Sequence, residues 1–294
     1  IMVSIGFLIV VGLLAAVGWG AWRHFKTSPP YIDPERYPVM GIDISSHNGM
    51  MNLDAAADAG IRFVFIKASE GVDFRDSNFR INYNKARHAG MKIGAYHFFR
   101  FDKDGIEQAR NFVHAIGNRR LDLGVAIDVE SHGNPVGIDS TLIAKRLTDM
   151  ADFLNLVGYR VTFYSNRDGY LDYLQKTVPG STLWICSFSP NPNSLEWTFW
   201  QFNHRGKIAG IRGDVDLNVF CGGLEEWENF LAGSTWPYSQ PPYSPRAGQP
   251  RNYMNPASVS DYTPEYEIPT DTISYITDSI RDFSGADTHP AKPQ

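Results

Sequence analysis

Two acidic residues follow an apolar run in the middle of the chain. The run 125–127 (Val-Ala-Ile) leads into Asp128, Val129 and Glu130, a pattern typical of a buried strand that ends in acids. Because side chains two apart on a strand point to the same side, both carboxyls face one space. When two carboxyls lie close together, one pKa rises and that group keeps a proton near neutral pH. Glycoside hydrolysis uses such a protonated acid beside a charged partner.

Two further acids lie in other strand-like runs. Asp43 ends the run 40–43, and Asp216 lies in the last run, 213–218. The first and last strands of a closed barrel are neighbours, and active sites of parallel barrels lie at the carboxyl ends of their strands. We therefore expect Asp43 and Asp216 to converge with Asp128 and Glu130. Taken singly, each fits a turn or capping acid better, and an Asp-x-Glu pair alone is a weak signal.

The elements that would position these acids are apolar, β-branched runs alternating with segments of helical period. Such alternation predicts an α/β fold with a parallel sheet, and eight strands are enough to close a barrel. The last three runs leave little room for helices, so an irregular β/α barrel is expected. The clearest helix is 140–157, with Ile143, Leu147, Met150, Leu154 and Val157 on one face. The predicted strands are 39–44, 62–68, 92–99, 124–129, 160–165, 182–188, 198–202 and 215–220.

Composition excludes some functions and leaves others open. The chain has 294 residues and a net charge of −5, without the clustered basic residues that nucleic-acid binding requires. Its two cysteines, Cys186 and Cys221, are too few for a disulfide framework and lack zinc-site spacing. Both lie in apolar runs, which favours buried free thiols over a single disulfide.

The chain begins with an apolar segment. Residues 1–22 contain no charge and are long enough, as a helix, to cross a membrane. A transmembrane or signal-anchor segment is predicted, with a cleaved signal peptide as the alternative. Arg23 and Lys26 flank it, and the positive-inside rule taken literally would place the rest of the chain in the cytoplasm. Residues 23–38 are interpreted as a linker to a barrel domain over 39–231.

The last segment, 232–294, has a different composition. It holds ten of the chain's 18 prolines, with many Ser, Thr and Tyr residues and few aliphatic ones. Such a segment buries too little apolar surface to offset its chain entropy, so a disordered tail is predicted. Ile273, Ile276, Ile280 and Phe283 would share one side of a short helix. That face indicates a protein partner for the tail, or only a transient amphipathic turn.

Seven segments resemble those of glycoside hydrolase family 25 in order and approximate spacing. They span about 190 residues and cover neither the apolar first segment nor the tail. The segments are Met40-Gly41-Ile42-Asp43-Ile44-Ser45, Phe65-Ile66-Lys67-Ala68-Ser69-Glu70-Gly71, Gly94-Ala95-Tyr96-His97-Phe98, Ala126-Ile127-Asp128-Val129-Glu130, Phe163-Tyr164-Ser165, Trp200-Gln201-Phe202 and Val215-Asp216-Leu217-Asn218.

The resemblance implies a fold, an activity and a set of roles. The fold would be a barrel of five βα units and three further strands, and the activity cleavage of the β-1,4 bond from N-acetylmuramic acid to N-acetylglucosamine. Glu130 would be the general acid/base and Asp128 the carboxylate that assists the 2-acetamido group, with Asp43 and Asp216 as the remaining acids of the cleft. Family members retain anomeric configuration, and the sequence leaves open whether the acetamide or a carboxylate is the nucleophile. The resemblance implies that neither a metal nor an organic cofactor is needed.

Aromatic and polar residues near the same strand ends are candidates for binding glycan. Sugar rings stack their C–H faces on aromatic side chains. Alternation favours Tyr96, Tyr164 and Trp200 for the cleft. Glu70 either lines the cleft or orients a neighbouring side chain, with a surface ion pair as the alternative. His97 and His47 have no partners at metal-ligand spacing, so both are interpreted as hydrogen-bonded structural histidines.

The sequence also fits two rival interpretations less well. A chitinase-like barrel also ends its fourth strand in Asp-x-Glu, but the run 123–127 is apolar where that fold has further Asp residues. A catalytically idle wall-binding module of an envelope-spanning assembly is the other, although all four acids are present. Peptidoglycan lies outside the cytoplasmic membrane, so the catalytic domain of a hydrolase that acts on it would be periplasmic or extracellular. With residues 1–22 as the anchor, the protein would be attached to the cytoplasmic membrane.

Overall fold

The structure is a computed structural model that describes residues 29–188, 192 and 195–233. A short helical turn, Arg167–Gly169, continues into a π-helical turn, Tyr170–Leu174. The longer helices are α1 (Leu53–Asp58), α2 (Phe79–His88), α3 (Gly105–Ile116), α4 (Ser140–Leu156) and α5 (Leu224–Ala232). The strands are β1 (Met40–Ile44), β2 (Ile61–Glu70), β3 (Phe74–Arg75), β4 (Lys92–Phe98), β5 (Gly124–Asp128), β6 (Val161–Asn166), β7 (Thr182–Cys186), β8 (Phe199–Gly206) and β9 (Val215–Phe220).

Eight of these strands close into a barrel. Strand β1 pairs in parallel with β2 and antiparallel with β9, which joins the two ends of the sheet. The pairs from β2 through β4, β5, β6, β7 and β8 are parallel, and β9 runs antiparallel to β8. Only the two-residue β3 lies outside the ring, paired with the end of β2. The predicted eight-stranded irregular barrel is therefore confirmed, and each predicted strand overlaps an observed one.

Helices α3 and α4 begin at acids that cap them. The Asp104 carboxylate accepts hydrogen bonds from the first backbone N–H groups of α3, and Asp139 does the same for α4. Such caps satisfy donors that have no partner within the helix. Helix α4 ends at Leu156, one residue before the predicted end, and its buried face includes Leu147, Met150 and Leu154. The apolar period of 140–157 therefore predicted this helix correctly.

The interior of the barrel is filled by aromatic rings. Phe65 stacks on Trp184 with ring centroids 4.4 Å apart, and Phe199 contacts Phe65 edge-on and Phe63 with tilted rings. These rings leave no room for a side chain at Gly94, where a Cβ would lie 2.3 Å from the Phe65 ring. A second apolar layer lies between the outside of the sheet and the helices.

Helix α5 covers the amino-terminal end of the barrel. Its Trp227 is buried and packs on Phe63 and Phe220 from below. The Arg160 guanidinium lies 3.6 Å from the Phe230 ring centroid and donates to the Phe230 carbonyl near the end of the helix. Because α5 plugs this end, the carboxyl ends of the parallel strands form the accessible end.

Several predictions concern segments at the margins of the described chain. The expected membrane segment, 1–22, and the tail from 234 onward lie outside the described residues, and among those described no helix has the length and apolarity to span a membrane. Near the end of the predicted linker, Tyr37 packs against Trp197. Neither Cys186 nor Cys221 is in a disulfide, as favoured, but Cys186 is only partly buried and Cys221 is exposed, so the prediction that both are buried was wrong. Cys221 is exposed because it follows the last residue of β9, where the sheet has ended.

Substituting Gly94 by Ala tests the packing of the barrel interior. The added methyl group collides with Phe65, itself held by Trp184, so we expect a loss of about 1–3 kcal/mol in the free energy of unfolding. Urea unfolding followed by circular dichroism measures it. Gly233→Ala is the control, since no atom lies closer than 3.7 Å to its Cβ. Equal stability of the two variants would contradict the packing described.

Candidate active site

One side chain from each barrel strand faces the interior at the accessible end. Alternation along each strand places these side chains above the aromatic interior, on the same side of the sheet as Phe63 and Phe65. They form a ring of acids, aromatics and amides around one space. The ring comprises Asp43 (β1), Lys67 (β2), Tyr96 (β4), Asp128 (β5), Tyr164 (β6), Trp184 (β7), Gln201 (β8) and Asp216 (β9).

Asp43 is held by a network of buried hydrogen bonds. Its Oδ2 accepts from Gln201 Nε2 and from Asn218 Nδ2, each at 2.8 Å. The Tyr164 hydroxyl donates to Gln201 Oε1 at 2.9 Å, and Trp184 Nε1 donates to Asn218 Oδ1 at 2.7 Å. Burial raises the pKa of Asp43 to about 6, against the opposing effect of the two amide donors. The network fixes the position of this carboxyl from both sides.

Asp128 and Glu130 lie together at and just beyond the end of β5. Burial raises the pKa of Asp128 well above its usual value, and the charge of Glu130 raises it further. Within the described chain, Asp128 Oδ1 is buried and has no hydrogen-bond partner. Glu130 is only half-buried, and its pKa is also raised, mainly by burial and with a contribution from Asp43. Glu130 is therefore the more accessible of the two.

Asp216 completes the group of acids. It lies directly opposite Asp43 in the antiparallel register of β1 and β9. Burial raises its pKa to about 8, and the charges of Asp43 and Glu130 add to the rise. The structure thus brings Asp43, Asp128, Glu130 and Asp216 within electrostatic range of one another. Like charges this close cannot all ionise at neutral pH, so the cluster shares protons among its members.

A lysine that the sequence analysis did not single out lies beside the acids. Lys67 is largely buried, and its Nζ lies 2.8 Å from Glu70 Oε2. Its positive charge opposes the rise in the pKa of Asp128. Glu70 also pairs with Arg100 at 3.5 Å. Glu70 therefore affects the acid cluster indirectly, by holding two cations next to it. Alternation with Phe63 and Phe65 was the signal that could have placed Lys67 inside the barrel.

The aromatic candidates divide between the cleft and the outer layer. Tyr96 and Tyr164 face the acids, whose charges contribute to the raised pKa of each hydroxyl after burial itself. Trp184, which alternation did not favour for the cleft, packs against both rings. The placement of Trp200 in the cleft was wrong, since it is 3% exposed and packs with Trp197 in the layer outside the sheet. Its neighbours on β8 take the inward positions, so alternation turns Trp200 outward.

The two histidines have structural surroundings. Fully buried His97 bonds through Nδ1 to Ser69 Oγ at 2.8 Å and through Nε2 to Gln108 Oε1 at 3.2 Å. Burial lowers its pKa to about 3, so it is neutral at physiological pH. His47 is exposed and bonds to Ser45 Oγ at 3.1 Å. Within the described ranges, no group of three or more His, Cys, Asp or Glu side chains is arranged so that it could hold a metal ion.

Comparisons with known proteins match this chain to one family. The family model described as "Glycosyl hydrolases family 25" matches residues 42–211. That range includes Asp43, Asp128 and Glu130 and ends before Asp216. The chain belongs to glycosyl hydrolases family 25.

Individual relatives agree with the family match. The autolytic lysozyme of Clostridium acetobutylicum is 33% identical over 188 residues, 63% of this chain and 57% of that protein. Lysozyme M1 of Streptomyces globisporus is 31% identical over 232 residues, 72% of this chain and 76% of its own length. A family 25 glycosyl hydrolase structure from Bacillus anthracis superposes with a TM-score of 0.63 at 32% identity, covering 69% of this chain and 97% of that one. Because it belongs to family 25, this chain is a glycoside hydrolase.

Replacing Asp216 by Asn tests the electrostatic cost of the acid cluster. The pKa of Asp216 is about 8 in the folded protein, against an ordinary value of 3.8. Between these two pH values, the folded protein therefore keeps a proton that the unfolded chain releases. Its contribution to stability therefore falls as pH rises between those values. We expect Asp216→Asn to stabilise the protein by about 1–3 kcal/mol at pH 8 and by less at pH 5, measured by urea unfolding.

The matched control is Asp214→Asn, two residues away. The pKa of Asp214 is lowered, chiefly by its hydrogen bond with Lys207, so its ionised form favours folding above its ordinary pKa. This control should give no stabilisation at pH 8. A gain at pH 8 from Asp214→Asn that equals the gain from Asp216→Asn would show that general charge, not the cluster, sets the effect.

Proposed function

We propose that this protein is a muramidase, which hydrolyses the β-1,4 bond between N-acetylmuramic acid and N-acetylglucosamine in peptidoglycan. The observation that carries the proposal is the meeting of four acids, with raised pKa values, at the open end of the barrel. Relatives named as an autolytic lysozyme, lysozyme M1 and N,O-diacetylmuramidases support the choice of substrate. No cofactor takes part in the proposed reaction.

In the proposed mechanism Glu130 is the general acid/base. Its raised pKa favours the protonated form that must give a proton to the leaving oxygen, and its partial exposure lets it reach a bound glycan. After the glycosidic bond breaks, water attacks the anomeric carbon and displaces the nucleophile there, the acetamide oxygen or a carboxylate, while the Glu130 carboxylate accepts the proton of that water. Asp128 lies deeper and its unpartnered Oδ1 is free to accept the N–H of the 2-acetamido group. Such a bond would orient the acetamide and balance positive charge at the anomeric carbon.

Asp43 and Asp216 keep the field of the site negative. Asp43 is fixed by two amide donors, and Asp216 lies opposite it with its charge coupled to that of Asp43 and Glu130. The negative charge of Asp43 helps Glu130 hold its proton. The negative charge that Asp43 and Asp216 share would stabilise an oxocarbenium-like transition state. Tyr96 and Tyr164 line the floor on which a sugar ring would rest, and Glu70 positions Lys67 at its border.

The replacement of Glu130 by Gln tests the proposed acid/base role. Gln cannot transfer the proton, so we expect the rate of reducing-sugar release from purified peptidoglycan to fall by about 10²–10⁴-fold. The control is Glu225→Gln, an exposed residue of α5 at the opposite end of the barrel, which should keep full activity. Rates near zero in wild type and variant alike would favour an idle wall-binding module instead. Mass spectrometry should find muramic acid at the new reducing ends, and glucosamine there would indicate a glucosaminidase.

We propose further that residues 1–22 anchor the protein in the cytoplasmic membrane. This proposal rests on the uncharged, apolar composition of the segment and on the location of peptidoglycan outside that membrane. The barrel domain would then lie in the periplasm or at the cell surface, close to its substrate. The tail, 232–294, would be available to a protein partner through the face that carries Ile273, Ile276, Ile280 and Phe283.

Cell fractionation tests the anchor. We expect the full chain in the membrane fraction, resistant to extraction by carbonate, because a helix of this length buries its apolar side chains in the bilayer. A variant that lacks residues 1–22 should move to the soluble fraction. If expression of the full sequence instead gives a soluble protein that has been cleaved near residue 22, residues 1–22 are a signal peptide that is removed.

A further inference from the structure

A group of positive charges lies at the rim of the acidic cleft. The turn between β8 and β9 carries Lys207, whose Nζ lies 2.6 Å from Asp214 Oδ1. Arg205 and His204, at the end of β8, also act electrostatically on Asp214 and, with Lys207, lower its pKa. We name His204, Arg205 and Lys207 the basic ledge. All three are exposed. The positive charges of Arg205 and Lys207 together exceed the single negative charge of Asp214.

The turn that carries the basic ledge is held firmly against the barrel. The Gly210 carbonyl accepts from the Asn52 backbone N–H at 2.9 Å, and Ile211 is buried. A Cβ at Gly210 would lie 2.2 Å from the Asn52 carbonyl, so only glycine allows this close approach. On the other side, Asn48 Nδ2 donates to the Asp214 carbonyl at 3.4 Å. The ledge cations therefore project from a fixed backbone, which lowers the entropic cost of binding a ligand.

The basic ledge adjoins the acid cluster. Asp214 contributes to the raised pKa of Asp216, which shows that the two ends of this short segment share one electrostatic environment. On the other flank, the His204 ring packs on Phe188, with centroids 4.3 Å apart, just beyond the end of β7. Phe188 is 40% exposed and adds an apolar surface next to the cations. The ledge thus extends the cleft beyond the ring of strand ends.

Cations at this place oppose the charge of the rest of the molecule. The chain has a net charge of −5, and the cleft itself concentrates four carboxyls. Both repel an anionic substrate, and the repulsion between exposed groups acts over about 8 Å at physiological ionic strength. Peptidoglycan carries, on the lactyl group of each muramic acid, a short peptide with free carboxylates. An arginine and a lysine on a fixed ledge are suited to such carboxylates.

We propose that the basic ledge binds the carboxylates of the peptide attached to muramic acid, and so favours peptide-bearing glycan over bare glycan. The inference rests on the proposed muramidase function, because it assumes that glycan occupies the cleft beside Asp216. Arg205 and Lys207 supply the charge, while Phe188 contacts apolar groups of the peptide. Rim charges of this kind mainly raise the rate of association and make it depend on salt.

Binding of two soluble glycans to a Glu130→Gln background tests the inference without hydrolysis. Both glycans come from uncrosslinked Gram-negative peptidoglycan, which has no teichoic acid, and one is stripped of peptides by an amidase. We expect the double variant Arg205→Gln, Lys207→Gln to raise the Kd for the peptide-bearing strand by about three- to tenfold, because two exposed charges that attract the strand are lost. The Kd for the stripped strand should change less than about twofold, and the difference should shrink at high salt.

The charge-matched control removes an arginine and a lysine from the opposite end of the barrel. Lys92→Gln with Arg120→Gln lies near the starts of β4 and β5 and should alter neither Kd. Arg205→Lys keeps the charge and should retain most of the affinity. Equal losses for both glycans, or no loss for either, would overturn the inference.

Hydrolysis by the parent protein separates this inference from the proposed function. If the parent with intact Glu130 cleaves neither glycan, the muramidase proposal fails, while the Kd values of the Glu130→Gln protein still decide whether the ledge binds peptide carboxylates. If it cleaves both glycans and the ledge variants leave their kcat/KM ratio unchanged, the muramidase proposal stands and the ledge proposal fails. Absence of binding to either glycan would count against both.

Discussion

The crowding of four carboxyl groups at one end of a closed barrel is the constraint on which the other features of this site depend. Asp43 and Asp128 are shielded from water, Glu130 and Asp216 are partly shielded, and each lies within electrostatic range of at least one other. Shielding and repulsion both favour the protonated state, so the cluster holds protons at a pH where isolated acids would not. This arrangement costs stability, and the surrounding structure has to hold it in place.

Two kinds of neighbour hold the cluster. The amides of Gln201 and Asn218 fix Asp43, and they are fixed in turn by Tyr164 and Trp184, whose rings belong to the packed interior. The position of one carboxyl of the cluster therefore follows from the packing of the barrel. On the other side, the buried ammonium of Lys67 moderates the pKa of Asp128. The cluster thus combines a rigid half around Asp43 with an electrostatically tuned half around Asp128.

Sequence patterns predicted the strands well and individual side-chain directions less well. The eight apolar runs and the helix over 140–157 were correct because their periods are local properties of the chain. Trp200 was placed on the wrong face because the inward register of β8 is set by Phe199 and Gln201, which bond and pack across the barrel. Lys67 was overlooked because a lysine is rarely buried unless a partner such as Glu70 lies beside it.

By itself, the sequence determined the alternation of strands and helices, the strand ends at which acids occur, and the resemblance to family 25, since these depend on neighbouring residues and their order. Only the tertiary structure decided that Asp216 faces Asp43, that Gln201 and Asn218 hold the latter, and that cations of the β8–β9 turn lie at the rim. Closure of the sheet brings together strands far apart in the chain, and the distances between their side chains exist only after closure.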